Sequence, residues 1–368
     1  VLDSLRIEGF KLFRELELPV LRRLNLILGN NNSGKSCLLE AIRLYASGGG
    51  TLVIRDLIDS RDSDWEARGS RLEEADVESP IRFLFHDFHS QNLARPLIRI
   101  GPIGGTKRLE MSTGLYQKIE DNDGSVRLNP IADTDDAPGE DVEEMLLVGV
   151  GQKRRRPLGV KIFWNRGASI LRQFPEEPTE SVEVLGTCGL PKYEVEFLFD
   201  KVSLTPHEDQ VLSCLRLIDS RIEGIALLGS SQMPGGSERT PVVRVAGSKE
   251  RYPLRSMGDG LTRLFHIALC MVNAENGVVL IDEFENGLYW EVQDRLWPMI
   301  FEMAERFNVQ VFATTHSSDC VRSFTSAWQA APNAASVYRL ERTQSSARAT
   351  QLPMVNVSDA LASEVEVR

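Results

Sequence analysis

Three short apolar runs stand out along the chain, and each stops at polar residues. Leu24-Asn25-Leu26-Ile27-Leu28 runs into Gly29, Gly277-Val278-Val279-Leu280-Ile281 into Asp282 and Glu283, and Val309-Gln310-Val311-Phe312-Ala313 into Thr314-Thr315-His316. Runs of this length predict strands buried on both faces, as in a parallel sheet covered by helices. Glu15-Leu16-Glu17-Leu18 alternates instead, and with Leu5-Arg6-Ile7 and Phe10 to Phe13 it predicts an N-terminal antiparallel β arm with one wet face. Helical spacing appears from Cys37 to Tyr45, closed by Gly48-Gly49-Gly50, and again from Leu261 to Val272. A third helix is predicted from Trp290 to Phe307, with Val292, Leu296, Ile300 and Met303 on one face and a kink at Pro298. In between the pattern weakens. Short strands are predicted at Ile81 to Phe88, Leu97 to Ile103, Tyr193 to Phe199 and Arg221 to Leu228, a helix at His207 to Ile218, a loop at Asp121 to Glu143 and a mobile tip at Ser230 to Thr240. The expected architecture is α/β: a mixed central sheet with helices and an N-terminal antiparallel β lobe. Its main domain is discontinuous (1–50 and 251–345), interrupted by an inserted α+β region (51–250) and followed by a tail (346–368).

The turn after the first run is Gly29-Asn30-Asn31-Asn32-Ser33-Gly34-Lys35-Ser36, a full match to the phosphate-binding loop pattern. Glycines let backbone N–H groups wrap phosphate oxygens. Lys35 is a point charge for the β- and γ-phosphates, and Ser36 offers a hard oxygen suited to Mg²⁺. A strand before the loop and a helix after it, opening at Cys37, place the phosphates at a helix N-terminus. The second run ends where ligands bind in open α/β sheets, so Asp282 is placed to hold the Mg²⁺ hydration shell and Glu283 to orient and deprotonate an attacking water. One helix separates Glu283 from His316, which would then sit beside the γ-phosphate and sense it by hydrogen bonding. Ser256-Met257-Gly258-Asp259-Gly260 precedes the apolar helix from Leu261. Ser256 is suited to cap that helix or a nearby turn, and alone this stretch reads as a plain capped helix.

Composition narrows the class only slightly. The 368 residues are 42% hydrophobic and 26% charged, an ordinary globular balance, with a net charge of −11 that disfavours a dedicated nucleic-acid binder. The dense basic run, Lys153-Arg154-Arg155-Arg156, reads either as a nucleic-acid contact or as an exposed loop between Gly151 and Pro157. The acidic cluster of Asp133, Asp135 and Asp136 reads as a solvated loop in preference to a metal site. Cys37, Cys188, Cys214, Cys270 and Cys320 have no metal-ligand spacing and are expected as reduced thiols of a cytoplasmic protein. No apolar run approaches the roughly 20 residues that span a bilayer, and Val1 to Phe13 does not read as a secretion leader.

The order of these parts is phosphate loop, Ser-x-Gly element, strand ending in Asp-Glu, then Thr-Thr-His. It resembles the ABC-type ATPases among P-loop NTPases. Within them, Gly29 to Ser36, Ile281-Asp282-Glu283-Phe284-Glu285-Asn286-Gly287-Leu288, the opening Leu5-Arg6-Ile7-Glu8-Gly9-Phe10 and Ala313-Thr314-Thr315-His316-Ser317 are similar to the SMC/RecF/OLD group, and to its short stand-alone bacterial AAA-family ATPases. The resemblance implies ATP and Mg²⁺ as cofactors and a head-to-tail homodimer. Each ATP would lie between Lys35 and Ser36 of one subunit and Ser256 and Gly258 of the other, with Glu283 as base and His316 as switch. Arg263 is a further candidate to face ATP across the dimer. Two features depart from the pattern. Tyr289 stands where ABC transporters carry Asp, and the Q-loop glutamine is open among Gln91, Gln117 and Gln152.

Spacing sorts the functions the resemblance offers. Ser36 and Ser256 lie too far apart for a plain transporter cassette, and the intervening sequence lacks the heptads of long SMC coiled coils. Ser317 to Arg368 is too short for the Toprim nuclease domain of OLD proteins, so a nuclease of Toprim or HNH type is expected as a separately encoded partner. The resulting expectation is an ATPase whose ATP-driven dimerisation, or higher homo-oligomerisation, controls that effector in anti-phage defence. The alternatives are a DNA-repair ATPase that binds DNA directly and a slow-turnover ATP-binding scaffold.

Overall fold

The structure is a computed structural model describing residues 2–59, 80–86, 97–120, 126–131, 142–151, 155–159, 181–229 and 239–363. In chain order the strands β1 (Leu5–Phe10), β2 (Phe13–Leu18) and β3 (Leu24–Leu28) lead to α1 (Lys35–Ala46) and α2 (Thr51–Asp59). A run of strands follows: β4 (Leu97–Gly101), β5 (Leu109–Glu120), β6 (Val126–Pro130), β7 (Val142–Val150), β8 (Arg156–Gly159) and β9 (Val182–Leu185). Then come α3 (Lys192–Val202), α4 (Pro206–Leu215), β10 (Ile222–Gly229), β11 (Arg239–Val245) and β12 (Arg251–Pro253). The chain closes with α5 (Asp259–Asn273), β13 (Val278–Ile281), α6 (Trp290–Arg306), β14 (Gln310–Thr315), α7 (Ser318–Ala330), β15 (Ala335–Arg342), β16 (Ala347–Leu352) and α8 (Met354–Ala362).

Two main sheets result. The central one has the order β16-β15-β3-β14-β13-β9 among the described residues, parallel throughout except for β16. Every residue of β3, β13 and β14 is buried, which explains why these strands read as unbroken apolar runs. One face packs on α5, α6 and α7, around Phe265, Leu296, Trp297 and Phe324. The other face packs on α1, which is itself covered by the antiparallel sheet β2-β1-β4-β5-β7-β8, in a core holding Leu5, Phe10, Phe13, Leu38, Ile42 and Phe312. Residues between 51 and 250 therefore extend the β1–β2 lobe and supply β9 to the edge of the central sheet. A small sheet, β10-β11-β12, leads into the Ser256 region.

The base of β3 is fastened by buried amides. Asn25 bonds Arg22, Val311 and Ser336, and Gln310 bonds both backbone groups of Leu2 and the carbonyl of Arg22. With one end of the strand fixed, its other end delivers the Gly29 turn in a defined place.

Several expectations are corrected. Tyr193 to Phe199 is helical (α3), not a strand, because its buried residues Val195, Leu198, Phe199 and Val202 follow helical spacing while Tyr193 and Phe197 face solvent. Pro80–Leu84 is a 3₁₀ turn, and Phe85 makes only an isolated bridge to Phe10. The expected loop at 121–143 contains β6 and the start of β7. The helix expected from Trp290 is present as α6 (Trp290–Arg306), with Pro298 inside it. The Asp133, Asp135 and Asp136 cluster, Gln91, Gln152, Lys153 and Arg154 lie outside the described residues, as does most of the 230–240 tip. Of the basic run, Arg155 bonds Glu110 and Ser112, and Arg156 bonds Gly49 and Thr51, so both serve the fold. Gln117 is exposed on β5.

Candidate nucleotide site

The phosphate loop leaves β3 through Gly29 (φ 152°) and enters α1 at Gly34 (φ 103°). A Cβ on Gly29 would meet Ser33 Oγ at 2.5 Å and the Leu340 carbonyl at 2.6 Å; on Gly34 it would meet Leu12 at 2.8 Å. Neither position has room for a side chain, as a backbone cradle requires. Lys35 is the first residue of α1 and is 7% exposed. Its ammonium donates to the carbonyls of Gly29 (2.6 Å) and Asn30 (3.0 Å). Burial lowers its pKa, while Asp282, Glu283 and Glu285 pull it back up. Ser33 is buried, and its Oγ has no hydrogen-bond partner among the described residues.

The order β3-β14-β13 puts the His316 strand between the phosphate loop and the acidic turn, and hydroxyls from the loop and from β14 both bond Asp282. Ser36 Oγ donates to Asp282 Oδ2 (2.8 Å), and Thr314 Oγ1 donates to Asp282 Oδ1 (2.6 Å). Thr314 Oγ1 also accepts the Glu283 N–H (2.8 Å). Glu283 has φ 48°, a left-handed conformation that a non-glycine residue holds only when its surroundings enforce it. Phe284 supplies part of that enforcement. It is fully buried, its N–H donates to the Thr314 carbonyl, and its ring stacks on Trp297 at 3.9 Å.

Arg263 supplies the rest. Its guanidinium is 5% exposed and donates to the carbonyls of Gly186 (2.6 Å), Asp282 (2.7 Å) and Glu283 (2.9 Å). Burial lowers its pKa, opposed by Cys270 and then by Asp282, Glu285 and Glu283. This corrects the expectation that Arg263 faces a nucleotide across a dimer: within its own chain it clamps the acidic turn from behind. Beyond the turn, Glu285 accepts the His316 backbone N–H (2.9 Å), and the His316 ring Nδ1 lies 3.1 Å from the same oxygen. This contact keeps the imidazole beside the acidic turn.

The fold thus brings together the Gly29–Ser36 loop, Asp282, Glu283 and, through Glu285, His316. Cys37 is on α1 and buried. The loop fits a nucleoside triphosphate: a cradle with no room for Cβ atoms, a buried lysine, an orphaned Ser33 hydroxyl, and the hard Ser36 and Asp282 oxygens that suit Mg²⁺. The Ser256 element stands apart. Ser256 and Gly258 are exposed, the Ser256 hydroxyl donates to the Pro253 carbonyl of its own 3₁₀ turn (2.6 Å), and Gly258 (φ 109°), with open space where a Cβ would stand, caps α5. Gly258, not Ser256, caps α5, which corrects the first of the two roles expected of Ser256, whereas its hydroxyl bonds within the nearby 3₁₀ turn. Arg263, Glu285 and Thr314 were not singled out in these roles from sequence. A signal existed for two of them: three carboxylates within four positions, and a hydroxyl pair ending an otherwise apolar strand.

Comparison with known proteins agrees with this geometry. Residues 4–136 match the AAA domain family and residues 193–321 match the AAA ATPase domain family, so the matches take in the phosphate loop on one side and Ser256, Asp282, Glu283 and His316 on the other. The chain is 23% identical over 338 residues to a Helicobacter pylori protein described as an ATP/GTP phosphatase, covering 87% of this chain and 86% of the relative. Solved structures similar to it include an SMC head bound to the C-terminal winged-helix domain of ScpA (13% identity, 97% and 99% of the two chains, TM-score 0.48). The SMC head domain from Thermotoga maritima is another (12% identity, 95% and 98%, TM-score 0.44). The phosphate loop, the acidic turn and the two AAA-type domain matches define the chain as an ATPase, an enzyme that binds and hydrolyses ATP. No helix among the described residues is long and apolar enough to cross a membrane.

Proposed function

We propose that this ATPase works as a head-to-tail homodimer in which each ATP is held by the phosphate loop of one copy and the Ser256 element of the other, and that ATP-dependent pairing controls a separate effector. The observation that carries this is the split in the site. The loop, Asp282, Glu283 and His316 are gathered in one chain, whereas Ser256 and Gly258 are exposed and bonded only within their own turn and helix start. In the proposed cycle the loop amides and Lys35 hold the phosphates, and Ser36 with Asp282 would hold Mg²⁺. A magnesium ion there supplies neutralisation of the charge on the transferring phosphoryl group. Glu283 takes the proton of the attacking water, its backbone fixed by Arg263 and Thr314. His316, set beside Glu285 at the end of β14, meets the γ-phosphate with its ring and so distinguishes ATP from ADP.

The group resemblance supports a nuclease as the effector and anti-phage defence as the setting. The test is the solution mass of Glu283→Gln by light scattering. Mg-ATP should take the variant from one chain to two, and Lys35→Ala should stay at one chain under both conditions. A mass of two chains without nucleotide, or no rise with it, sinks the shared-site proposal.

A further inference from the structure

Beside the acidic turn, on the side away from the phosphate loop, lies a cavity of about 470 Å³. Its walls are the 187–191 loop after β9, the start of α3, the start of β11, the N-terminal turn of α5 and Asn286-Gly287. Its size is that of a pocket for a small organic molecule. Leu190, Pro191, Val195 and Leu254 give it an apolar side. The charged lining is Lys192, Arg239, Arg255 and Arg263, with Asp259 the only acid among the described lining residues. Arg239 is held by Glu196 and Asp200, and Arg263 by its three carbonyls. Arg255 is exposed and lines the cavity beside them.

The floor holds a polar group that the fold does not use. His266 is 8% exposed, and its Nδ1 accepts the Leu190 N–H (3.2 Å), which fixes the proton on Nε2. That Nε2–H has no acceptor among the described residues and is not sealed, so it opens into the cavity that His266 lines. Burial, with Arg263 and Arg255 nearby, pushes the His266 pKa down to about 4, so the ring is a neutral donor at physiological pH.

The cavity is wired to the acidic turn. Asp282 N–H donates to the Leu185 carbonyl (2.9 Å), Arg263 to that of Gly186, and Asn286 Nδ2 to that of Thr187 (2.9 Å). Consecutive carbonyls at Leu185, Gly186 and Thr187, where β9 leads into the cavity wall, therefore hold the backbone, the clamp and the far end of the Asp282–Asn286 turn. Displacing this loop moves the groups that set Glu283.

We propose that this cavity is a regulatory site for a small organic anion, a carboxylate or phosphate on an apolar body, which acts on the Glu283 turn through the Leu185–Leu190 loop. Binding does not depend on the proposed shared-site dimer; the effect on turnover rests on Glu283 serving in hydrolysis. Cys188 lines the cavity and is exposed, whereas Cys37, Cys214, Cys270 and Cys320 are buried, so its alkylation reports occupancy without nucleotide. The experiment follows N-ethylmaleimide modification of Cys188 by peptide mass spectrometry, with phenyl phosphate, benzoate or inorganic phosphate present. Phenyl phosphate or benzoate should slow alkylation at millimolar concentration, and inorganic phosphate, lacking the apolar body, should slow it less. Arg255→Ala should weaken the protection about tenfold or more. Absence of protection by both organic anions, or equal protection in Arg255→Ala, overturns the site. Protection with unchanged ATP turnover overturns the coupling and leaves the shared-site proposal untouched.

Discussion

The phosphate-loop half of the site and the Ser256 element are held in opposite ways. Around the loop, hydroxyls, amides and a buried guanidinium cross-link five separate stretches of chain: Ser36 to Asp282, Thr314 to Asp282 and Glu283, and Arg263 to Gly186, Asp282 and Glu283. At the Ser256 element every bond is local: Ser256 to Pro253, and Thr262 Oγ1 to Gly258. A cross-linked site resists change and registers mutation as lost stability. A locally bonded, exposed one registers mutation mainly through what it contacts from outside. That contrast orders the expected effects.

The largest falls at Lys35. Lys35→Ala removes the cation from the cradle, and ATP affinity measured by calorimetry should drop about 100-fold or more, since a charge-assisted contact to phosphate is lost in a desolvated site. Unchanged affinity would mean that nucleotide binds elsewhere. Next is Arg263, where the effect should be structural as well as catalytic. Arg263→Ala removes a donor from three half-buried carbonyls, of which those of Gly186 and Glu283 keep a backbone N–H and that of Asp282 loses its clamp, so the melting temperature should fall by about 5 °C or more, with turnover falling alongside it as the left-handed Glu283 relaxes. A variant that melts like the wild type and loses only ATP-dependent pairing would restore Arg263 to a role across the dimer. Ser256→Ala should do the reverse: a melting temperature within about 1 °C of the wild type, because an exposed side chain with one local bond contributes little, together with loss of the ATP-dependent rise in mass. Full pairing in that variant would separate the Ser256 element from the nucleotide.

The same contrast explains what was legible in the sequence. The strands β3, β13 and β14 were readable because burial on both faces forces an apolar run, and the turns at their ends were readable because phosphate and metal chemistry demand particular residue types at fixed spacing. Arg263 was misread because, in the first turns of a helix that follows the exposed Ser256–Gly258 stretch, a lone arginine looks like surface. Only the approach of the Gly186 and Asp282–Glu283 backbones, distant in sequence, makes it a buried clamp. Tyr193 to Phe199 was misread because Tyr193, Val195, Phe197 and Phe199 alternate as a strand would, yet the fold exposes Tyr193 and Phe197 (75% and 60%) and buries Leu198 instead. β9 has four residues and carries a glutamate, too little pattern to announce an edge strand of the central sheet.

That glutamate gives the smallest effect, and it lies between the two regions. Glu183 is two residues before Leu185, whose carbonyl holds the Asp282 N–H. Burial raises its pKa from 4.5 to about 7, Lys201 pulls it back down and Glu194 pushes it further up. The folded protein therefore binds this proton more tightly than the unfolded chain. Its stabilising contribution is fully present below pH 4.5 and is lost as pH rises through about 7. Glu183→Gln imitates the protonated form at every pH. Its melting temperature should match the wild type at the acid end of that window and exceed it by a few degrees at pH 8, the gap opening as the wild-type carboxyl ionises against its apolar surroundings. A gap of constant size across the range would assign the difference to packing of the amide and remove Glu183 as the titrating group behind β9.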